Sequence, residues 1–241
     1  MAWGGSACAI CRSWQRQVFC AACLARFAAP PSGAGQALGA AGAVCAVCAM
    51  PAAEPGALCA RCQADRPPFE RTIAALRYGP PWQRVIHGFK RLEGAGWSRP
   101  LSDLMQAPLR AAYAEQAWPQ RIVPVPLARG RLLARGHNPA WELARCLAAQ
   151  LQIPTQPSAV LRCRETPSQR ELSRADRLHN LRGAFVLAPG AQGWFKGARV
   201  AVVDDVMTTG ATVTELALTL RRAGVQSVHV WVLARTPLDM T

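Results

Sequence analysis

Residues 202–213, with the sequence VVDDVMTTGATV, bring together two kinds of groups that could act on one ligand. Asp204 and Asp205 are adjacent carboxylates, which accept hydrogen bonds from hydroxyl groups or bind a hydrated metal ion. After them come small residues whose hydroxyls and backbone amides suit a phosphate, namely Thr208, Thr209, Gly210, Ala211 and Thr212. Two carboxylates would repel a phosphate beside them, so the pattern favours a ligand that puts a neutral ring between the charges. A ribose 5-phosphate has this form.

Cysteines form a second candidate site near the start of the chain. Eight of the ten cysteines fall into four CxxC pairs, which are Cys8 and Cys11, Cys20 and Cys23, Cys45 and Cys48, and Cys59 and Cys62. A CxxC turn presents two thiolates to one tetrahedral metal ion, and four such pairs in succession favour zinc over a redox motif. Eight ligands could hold two structural zinc ions, with the pairs joined serially or crossed. The two single cysteines are interpreted as ordinary thiols, and they are Cys146 and Cys163.

The basic charge of the chain comes almost wholly from arginine. The formal net charge is +14, and Lys90 and Lys196 are the only lysines among 28 basic residues. The guanidinium group is a planar fork of donors that suits phosphate oxygens, so the charge favours an anionic small molecule or a nucleic acid as partner. A general bias toward Ala, Arg and Gly explains part of the same excess.

The elements that must position the acids follow a proline-bearing linker at residues 63–70. Strands are predicted at residues 121–127, 199–205 and 227–235, and helices at 138–151 and 212–224. Strands that alternate with helices predict an α/β fold with a doubly wound parallel sheet. We therefore expect two domains, a small zinc-binding module over residues 1–65 and an α/β domain over residues 66–241.

This arrangement places the acids and the small residues at one edge of the predicted sheet. Residues 200–203 are expected to be a buried strand with Asp204 and Asp205 at its carboxyl end, followed by a turn into a helix that begins near Ala211. Ligands of such sheets bind beyond the carboxyl ends of the strands. Gly210 would let the backbone approach the ligand, and the start of the helix would favour its phosphate.

The composition predicts a globular chain outside the membrane. Hydrophobic residues make up 51% of the sequence, which argues against disorder. No uncharged apolar stretch reaches the length of about 18 residues that a membrane helix needs, and the first residues lack the pattern of a signal peptide. A soluble, cytoplasmic protein without membrane insertion is therefore expected.

The segment VVDDVMTTGATV resembles the 5-phosphoribosyl 1-pyrophosphate (PRPP) binding motif of type I phosphoribosyltransferases. The order of motifs along nearly the whole chain resembles the ComF family, competence-associated phosphoribosyltransferase-like proteins that include GntX-like members. The matching stretches are the four CxxC pairs, LRYGPPWQRVIHGFK, VPVPLARGRLLARGHNPAWELA, RCRETPSQRELSRADRLHNLRGAF and the PRPP motif. His137 and Pro139 depart from the family pattern RGFNQ, whereas Arg135, Gly136 and Asn138 match it.

The resemblance implies a type I phosphoribosyltransferase-like sheet and roles for single residues. Asp204 and Asp205 would hold the ribose, and residues 208–212 its phosphate. Pyrophosphate and Mg²⁺ would be bound with the help of Arg129, Arg131 and Arg135, although these arginines could instead coat a solvated helix start. Residues 162–182 would form a flexible catalytic loop, or a surface for nucleic-acid phosphates. The residues of this stretch that match the family pattern are Thr166, Gln169, Arg177 and Asn180.

Two functions from different classes follow from the resemblance. The first is a Mg²⁺-dependent phosphoribosyltransferase with Asp204, Asp205 and Arg135 as catalytic residues and an unknown acceptor. Hypoxanthine-guanine phosphoribosyltransferases carry a third carboxylate where Thr208 stands, which disfavours that type of acceptor. The second is a non-catalytic protein that senses PRPP or holds single-stranded DNA during uptake, with proteins of the competence machinery as partners.

Overall fold

The computed structural model describes residues 6–28, 43–54, 56–91, 96–164 and 181–236. The strands are β1 (Ser6–Ala7), β2 (Trp14–Gln15), β3 (Arg71–Arg77), β4 (Arg121–Pro124), β5 (Val160–Arg162), β6 (Phe185–Leu187), β7 (Arg199–Met207) and β8 (Ser227–Arg235). The helices are α1 (Ala21–Phe27), α2 (Ala60–Ala64), α3 (Trp82–Phe89), α4 (Ser98–Ala112), α5 (Arg129–Arg135), α6 (Pro139–Leu151), α7 (Gln192–Phe195) and α8 (Ala211–Arg222). None of the helices in these ranges combines the length and apolar character that a membrane span requires.

Four of the strands form one parallel sheet, in the order β3-β8-β7-β4. Every residue of β8 after Ser227 is buried. Continuous burial of this kind is typical of a parallel strand that is covered on both faces. The predicted α/β fold with a doubly wound parallel sheet is thus confirmed. Two short antiparallel pairs, β1–β2 and β5–β6, lie outside the sheet.

Alternate residues of the central strands pack into two cores, one on each face of the sheet. Val200 and Val202 of β7 belong to one core, together with apolar residues of α8 and of the β5–β6 pair. Ala201 and Val203 belong to the other core, together with apolar residues of α3, α4 and α6. Because successive side chains of a strand point to opposite faces, the sheet is a layer between these two sets of elements.

The predicted elements are present, with several changes of boundary, and α8 runs over residues 211–222 rather than 212–224. α6 begins as expected, because Oδ1 of the N-cap residue Asn138 accepts a hydrogen bond from Ala140 N at 3.0 Å. β4 ends at Pro124 rather than at residue 127. β7 does not end at the acids but continues to Met207, since its pairing with β8 extends to the Met207–Arg235 pair.

The two halves of the cysteine-rich region pack against opposite faces of the sheet. In the first half, Trp82 Nε1 of α3 donates a hydrogen bond to Phe27 O at 2.8 Å, and the rings of Phe19 and Trp82 meet edge to face at 5.5 Å. The second half contributes residues to the core on the α8 side, including Cys45, Cys48 and Cys62. The region therefore covers part of both cores of the α/β unit.

Candidate functional site

The acid pair lies in the last part of β7, one of the two central strands of the sheet. Asp205 is only 8% exposed, and Asp204 is half-buried. Asp204 Oδ1 accepts a hydrogen bond from Asp205 N at 2.8 Å. Burial, and then the charge of Asp205, raises the pKa of Asp204 to about 7. Near neutral pH, Asp204 is therefore balanced between its protonated and charged forms, and a bound cation would favour the charged form.

A lysine at the end of α3 supplies positive charge next to the pair. Lys90 Nζ lies 3.2 Å from Asp205 Oδ1. Lys90 N donates to Ile86 O at 3.0 Å, and His137 Nε2 lies 3.0 Å from the carbonyl oxygen of Phe89, the preceding residue. Sequence reasoning does not single out Lys90 as a site residue. The sequence marks Lys90 only by the rarity of its residue type, since it is one of two lysines among 28 basic residues.

Two arginines complete the charged surroundings of the acids. Arg162 lies within electrostatic range of Asp204 and of Arg131 on α5. Burial, and then the charge of Arg131, lowers the pKa of Arg162. The sequence interpretation puts Arg162 at the start of a loop, but in the structure it is the last residue of β5, and its guanidinium lies 5.7 Å from the ring centroid of Phe185. Pairing with β6 explains the difference.

The turn after β7 has the conformation that its glycine favours. Gly210 is the N-cap of α8 and has a left-handed φ of 84°. A Cβ atom here would lie 2.8 Å from Met207 Cε. Thr209 Oγ1 accepts a hydrogen bond from Ala211 N at 3.4 Å, and Thr208 is exposed. Ala211 and Thr212 lie in the first turn of α8, whose backbone amides and helix dipole favour an anion.

The three predicted pyrophosphate arginines lie on one short helix. Arg129, Arg131 and Arg135 belong to α5, which has no buried residue and ends at Gly136 with a φ of 75°. Arg131 lies within electrostatic range of Arg162, which in turn lies within range of Asp204. Among the described residues, neither Arg129 nor Arg135 forms an ion pair with Asp204 or Asp205. Four further predicted residues lie outside the described ranges, and they are Thr166, Gln169, Arg177 and Asn180.

The eight paired cysteines form two separate candidate metal sites. The first site is Cys8, Cys11, Cys20 and Cys23, the second is Cys45, Cys48, Cys59 and Cys62, and within each the sulfur atoms lie within 4.8 Å of one another. The Cys11–Cys20 and Cys48–Cys59 sulfur distances are 3.7 and 3.6 Å. A zinc tetrahedron with Zn–S bonds of about 2.3 Å has sulfur atoms about 3.8 Å apart. The pairs are therefore arranged serially, and each site could hold one zinc ion.

Local interactions in the first site lower the pKa of Cys8 and Cys11 and so favour their thiolate forms, whereas burial raises the pKa of Cys23. The backbone amides of Cys20 and Cys23 donate to sulfur atoms of Cys8 and Cys20 at 3.4 and 3.3 Å. A hydrogen bond with Ser13, whose Oγ lies 3.0 Å from the sulfur, lowers the pKa of Cys11 to about 6. A thiol that is already deprotonated near neutral pH is a ready metal ligand.

Comparison with curated proteins finds relatives that match most of the chain. Competence protein F of Haemophilus influenzae is 37% identical over 179 residues, which cover 73% of this chain and 78% of that protein. DNA utilization protein YhgH of Escherichia coli K12 is 36% identical over 191 residues, which cover 78% of this chain and 82% of that protein. YhgH of Salmonella typhimurium is 35% identical over 189 residues, with the same coverage of 78% and 82%. No protein-family model matches the chain.

Solved phosphoribosyltransferase structures are also similar to this chain. The glutamine PRPP amidotransferase from B. subtilis has a TM-score of 0.40 and 18% identity, over 61% of this chain and 30% of that one. Adenine phosphoribosyltransferase from Saccharomyces cerevisiae has a TM-score of 0.39 and 20% identity, over 60% of this chain and 70% of that one. The curated relatives decide the family, because their identity exceeds a third over most of both chains. The chain belongs to the ComF family, the family of competence protein F.

Proposed function

We propose that this protein binds PRPP together with Mg²⁺ at the end of β7, as a phosphoribosyltransferase-like protein linked to DNA uptake or nucleotide metabolism. One observation carries the proposal: a single short turn joins the acids of β7 to the backbone amides at the start of α8, so one ligand can contact both. A ligand that contacts both must offer hydroxyl groups at one end and an anion at the other. The ribose 5-phosphate part of PRPP does so.

The cations around the acids also suit PRPP, whose diphosphate is strongly anionic. Three cations come from three different elements. Lys90 forms an ion pair with Asp205, and Arg162 lies within electrostatic range of Asp204 and of Arg131. Arg129 and Arg135 extend this basic surface along α5. Such groups bind phosphate oxygens through charge-assisted hydrogen bonds. When bound, Mg²⁺ would neutralise diphosphate charge while keeping part of its water shell.

In a transferase reaction, an acceptor would form a bond to C1 of the ribose while the bond from C1 to the diphosphate oxygen breaks. Asp204 and Asp205 would hold the ribose hydroxyls as positive charge develops on the ring. Arg135, with Arg129 and Arg131, would stabilise the negative charge of the leaving diphosphate. The acceptor stays unassigned, and the exposed Thr208 offers no carboxylate base toward a purine.

Replacing both acids tests the proposal. We expect Asp204→Asn with Asp205→Asn to weaken Mg²⁺-dependent PRPP binding by about 100-fold or more, because each change removes a charged hydrogen-bond acceptor. Isothermal titration calorimetry measures this, with circular dichroism to show that the fold persists. Asp103→Asn on α4 is the matched control, since its carboxylate is 49% exposed and lies outside the site. Equal PRPP affinity in wild type and the double variant would refute the proposed role of the acids.

Single-stranded DNA is a second candidate ligand, favoured by the surface of the first cysteine site. Trp14 on β2 is 72% exposed, and Arg12 and Arg16 beside it are exposed as well. An aromatic ring on which a base can stack, next to arginines that contact phosphates, is a common arrangement in proteins that bind single strands. The names of the relatives, competence protein F and DNA utilization protein, agree with such a ligand.

Fluorescence anisotropy of a labelled oligonucleotide tests this second function. We expect weak, sequence-independent binding that falls steeply with salt, because phosphate contacts release counterions. Trp14→Ala should reduce the affinity by about tenfold, whereas Trp14→Phe, which keeps an aromatic ring, should retain most of it. Competition by PRPP and Mg²⁺ would locate the oligonucleotide on α5 instead of the cysteine region. No binding at low salt would exclude the nucleic-acid function.

A further inference from the structure

Arg235, the last residue of β8, joins the second cysteine site to the turn between β7 and α8, residues 208–210, which we name the phosphate turn after its proposed ligand. It is 1% exposed. Its Nε donates a hydrogen bond to Cys48 O at 2.9 Å, and its Nη1 donates to Met207 O at 2.8 Å and also to Thr208 O. A single guanidinium group therefore holds the backbone of a candidate metal ligand and the backbone at the start of the turn.

The positive charge of Arg235 is buried, and no carboxylate in the described part of the chain forms an ion pair with it. The ion pairs found within the described ranges involve Lys90 and other arginines. In addition, Arg235 Nη2 and Arg61 Nε are buried nitrogen atoms that form no hydrogen bond with any of the residues that the structure describes. Burial of an unpaired charge is strongly unfavourable, so these atoms call for an anionic neighbour. Cys48 and Cys59 of the second site lie within electrostatic range of Arg235.

A metal ion on the second site would provide that neighbour. Four thiolates and one Zn²⁺ together carry a net charge of about −2, which two arginines can balance. Arg61 lies in the sequence between Cys59 and Cys62, and its Nη2 is 3.7 Å from the place where a Cβ on Gly210 would be. Both arginines are thus located between the second cysteine site and the turn.

We propose that the metal–thiolate centre of the second site is the counter-ion of Arg235 and Arg61, and that Arg235 is a positioning residue that couples this site to the phosphate turn. Loss of the metal would leave the guanidinium without its counter-charge and the Met207 and Thr208 carbonyls without a fixed donor. The turn would then loosen, and the affinity for an anionic ligand would fall. The effect on ligand affinity rests on the proposed PRPP site, whereas the effect on the turn does not.

The first cysteine site offers a matched control within the same chain. It packs on Trp82 of α3, on the opposite face of the sheet from the second site. Cys20→Ser and Cys59→Ser each remove one half-buried ligand, the former from the first site and the latter from the second. Zinc content, measured by elemental analysis, should fall by about one ion per chain in each variant.

Hydrogen exchange of the full-length, zinc-loaded protein tests the coupling without using PRPP. We expect the amides of residues 207–214 to exchange about tenfold faster in Cys59→Ser than in wild type, and within about twofold of wild type in Cys20→Ser. Equal acceleration in the two variants, or none in Cys59→Ser, would overturn the proposal. Because no ligand is involved, this result is independent of whether PRPP binds.

Substitution of Arg235 tests the residue itself. Arg235→Met removes the charge and all the donors, and Arg235→Lys keeps the charge but cannot bridge Cys48 O and the turn carbonyls together. With Co²⁺ in place of zinc, the thiolate absorption bands report charge and hydrogen bonds near the sulfur atoms. We expect Arg235→Met to shift these bands and weaken PRPP binding by about tenfold, and Arg235→Lys to have smaller effects. The proposed role would be contradicted if Arg235→Met left both the Co²⁺ absorption bands and the hydrogen exchange of the turn unchanged. If Arg235→Met does not fold, the comparison of Cys59→Ser with Cys20→Ser decides between the outcomes.

Discussion

Asp204 is the residue whose ionisation links the site to pH. Burial and the charge of Asp205 raise its pKa from the ordinary 3.8 to about 7, although Lys90 and Arg162 act in the opposite direction. Between these two pH values the folded chain keeps a proton that the unfolded chain has released. The contribution of Asp204 to the free energy of unfolding therefore decreases as pH rises toward 7.

Asp204→Asn should remove this pH dependence. Between about pH 5.5 and pH 8 we expect the free energy of unfolding of wild type to fall relative to that of the variant by about 1 kcal/mol or more, because one pKa unit corresponds to about 1.4 kcal/mol. Urea denaturation of both proteins, without Mg²⁺ and with zinc present, measures the difference. Parallel pH profiles would show that Asp204 has an ordinary pKa in the folded protein.

Single residues differ in how far the sequence reveals them. Asp204, Asp205 and Gly210 lie within one short motif, so their types and spacing are enough to group them. Lys90 lies far from Asp205 in sequence, and only the packing of α3 brings its Nζ to 3.2 Å from the carboxylate. Arg235 is hidden for the same reason, since nothing in its own strand indicates that it contacts Cys48. Non-local pairs of this kind have no signature in a single sequence.

At the scale of elements, the short helix α3 carries Lys90 to the acid pair. α3 ends at Phe89, and the contact of His137 with the Phe89 carbonyl ties this end to the segment between α5 and α6. Lys90 follows directly and caps α3. The position of its ammonium group therefore depends on two helices and on a histidine that departs from the family pattern.

Lys90→Met should make PRPP binding more dependent on Mg²⁺. In wild type the ammonium group already offsets part of the negative charge at Asp205, and without it the metal ion must do so alone. We expect the ratio of affinities with and without Mg²⁺ to increase by about tenfold, as measured by calorimetry. Lys196→Met is the matched control, because Lys196 is exposed and follows α7. An unchanged ratio in Lys90→Met would mean that Lys90 does not contribute to ligand binding.

The sequence predicts the elements whose signals are local. α6 has an Asn N-cap and a proline in its first turn, and β8 is rich in valine and other apolar residues, so both are predicted nearly to the residue. α4 is not predicted, because Pro108 lies inside it and interrupts the helical pattern. α5 is missed because none of its residues is buried, which leaves no apolar face. β5 and β6 have three residues each, too few for a periodicity.

At the scale of the whole molecule, we expect the cysteine region to depend on bound metal for its order. Its elements are short, since β1 and β2 have two residues each and α2 has five, so they bury little apolar surface by themselves. The predicted boundary between residues 1–65 and 66–241 stays a prediction. The contacts of the two cysteine sites with opposite faces of the sheet mean that disorder in the region would expose parts of both cores.

Purified protein should contain about two zinc ions per chain, and a chelator that removes them should disorder the first 62 residues. Elemental analysis gives the zinc content, and limited proteolysis before and after chelation locates the loss of order. The α/β unit should keep its helical circular dichroism signal, because most of its core comes from its own strands and helices. Less than one zinc ion per chain, with the region still resistant to protease, would refute a structural role for metal.

The bond between Arg235 and Cys48 has a consequence for the order in which the protein is made. The two residues are 187 positions apart, and β8 lies between β3 and β7, both of which precede it in the chain. Contacts over such separations form late in folding, because a long loop must close first. During synthesis, all eight paired cysteines leave the ribosome well before β8 does. The cysteine sites can therefore take up the proposed metal early, whereas the turn between β7 and α8 is secured only when β8 enters the middle of the sheet.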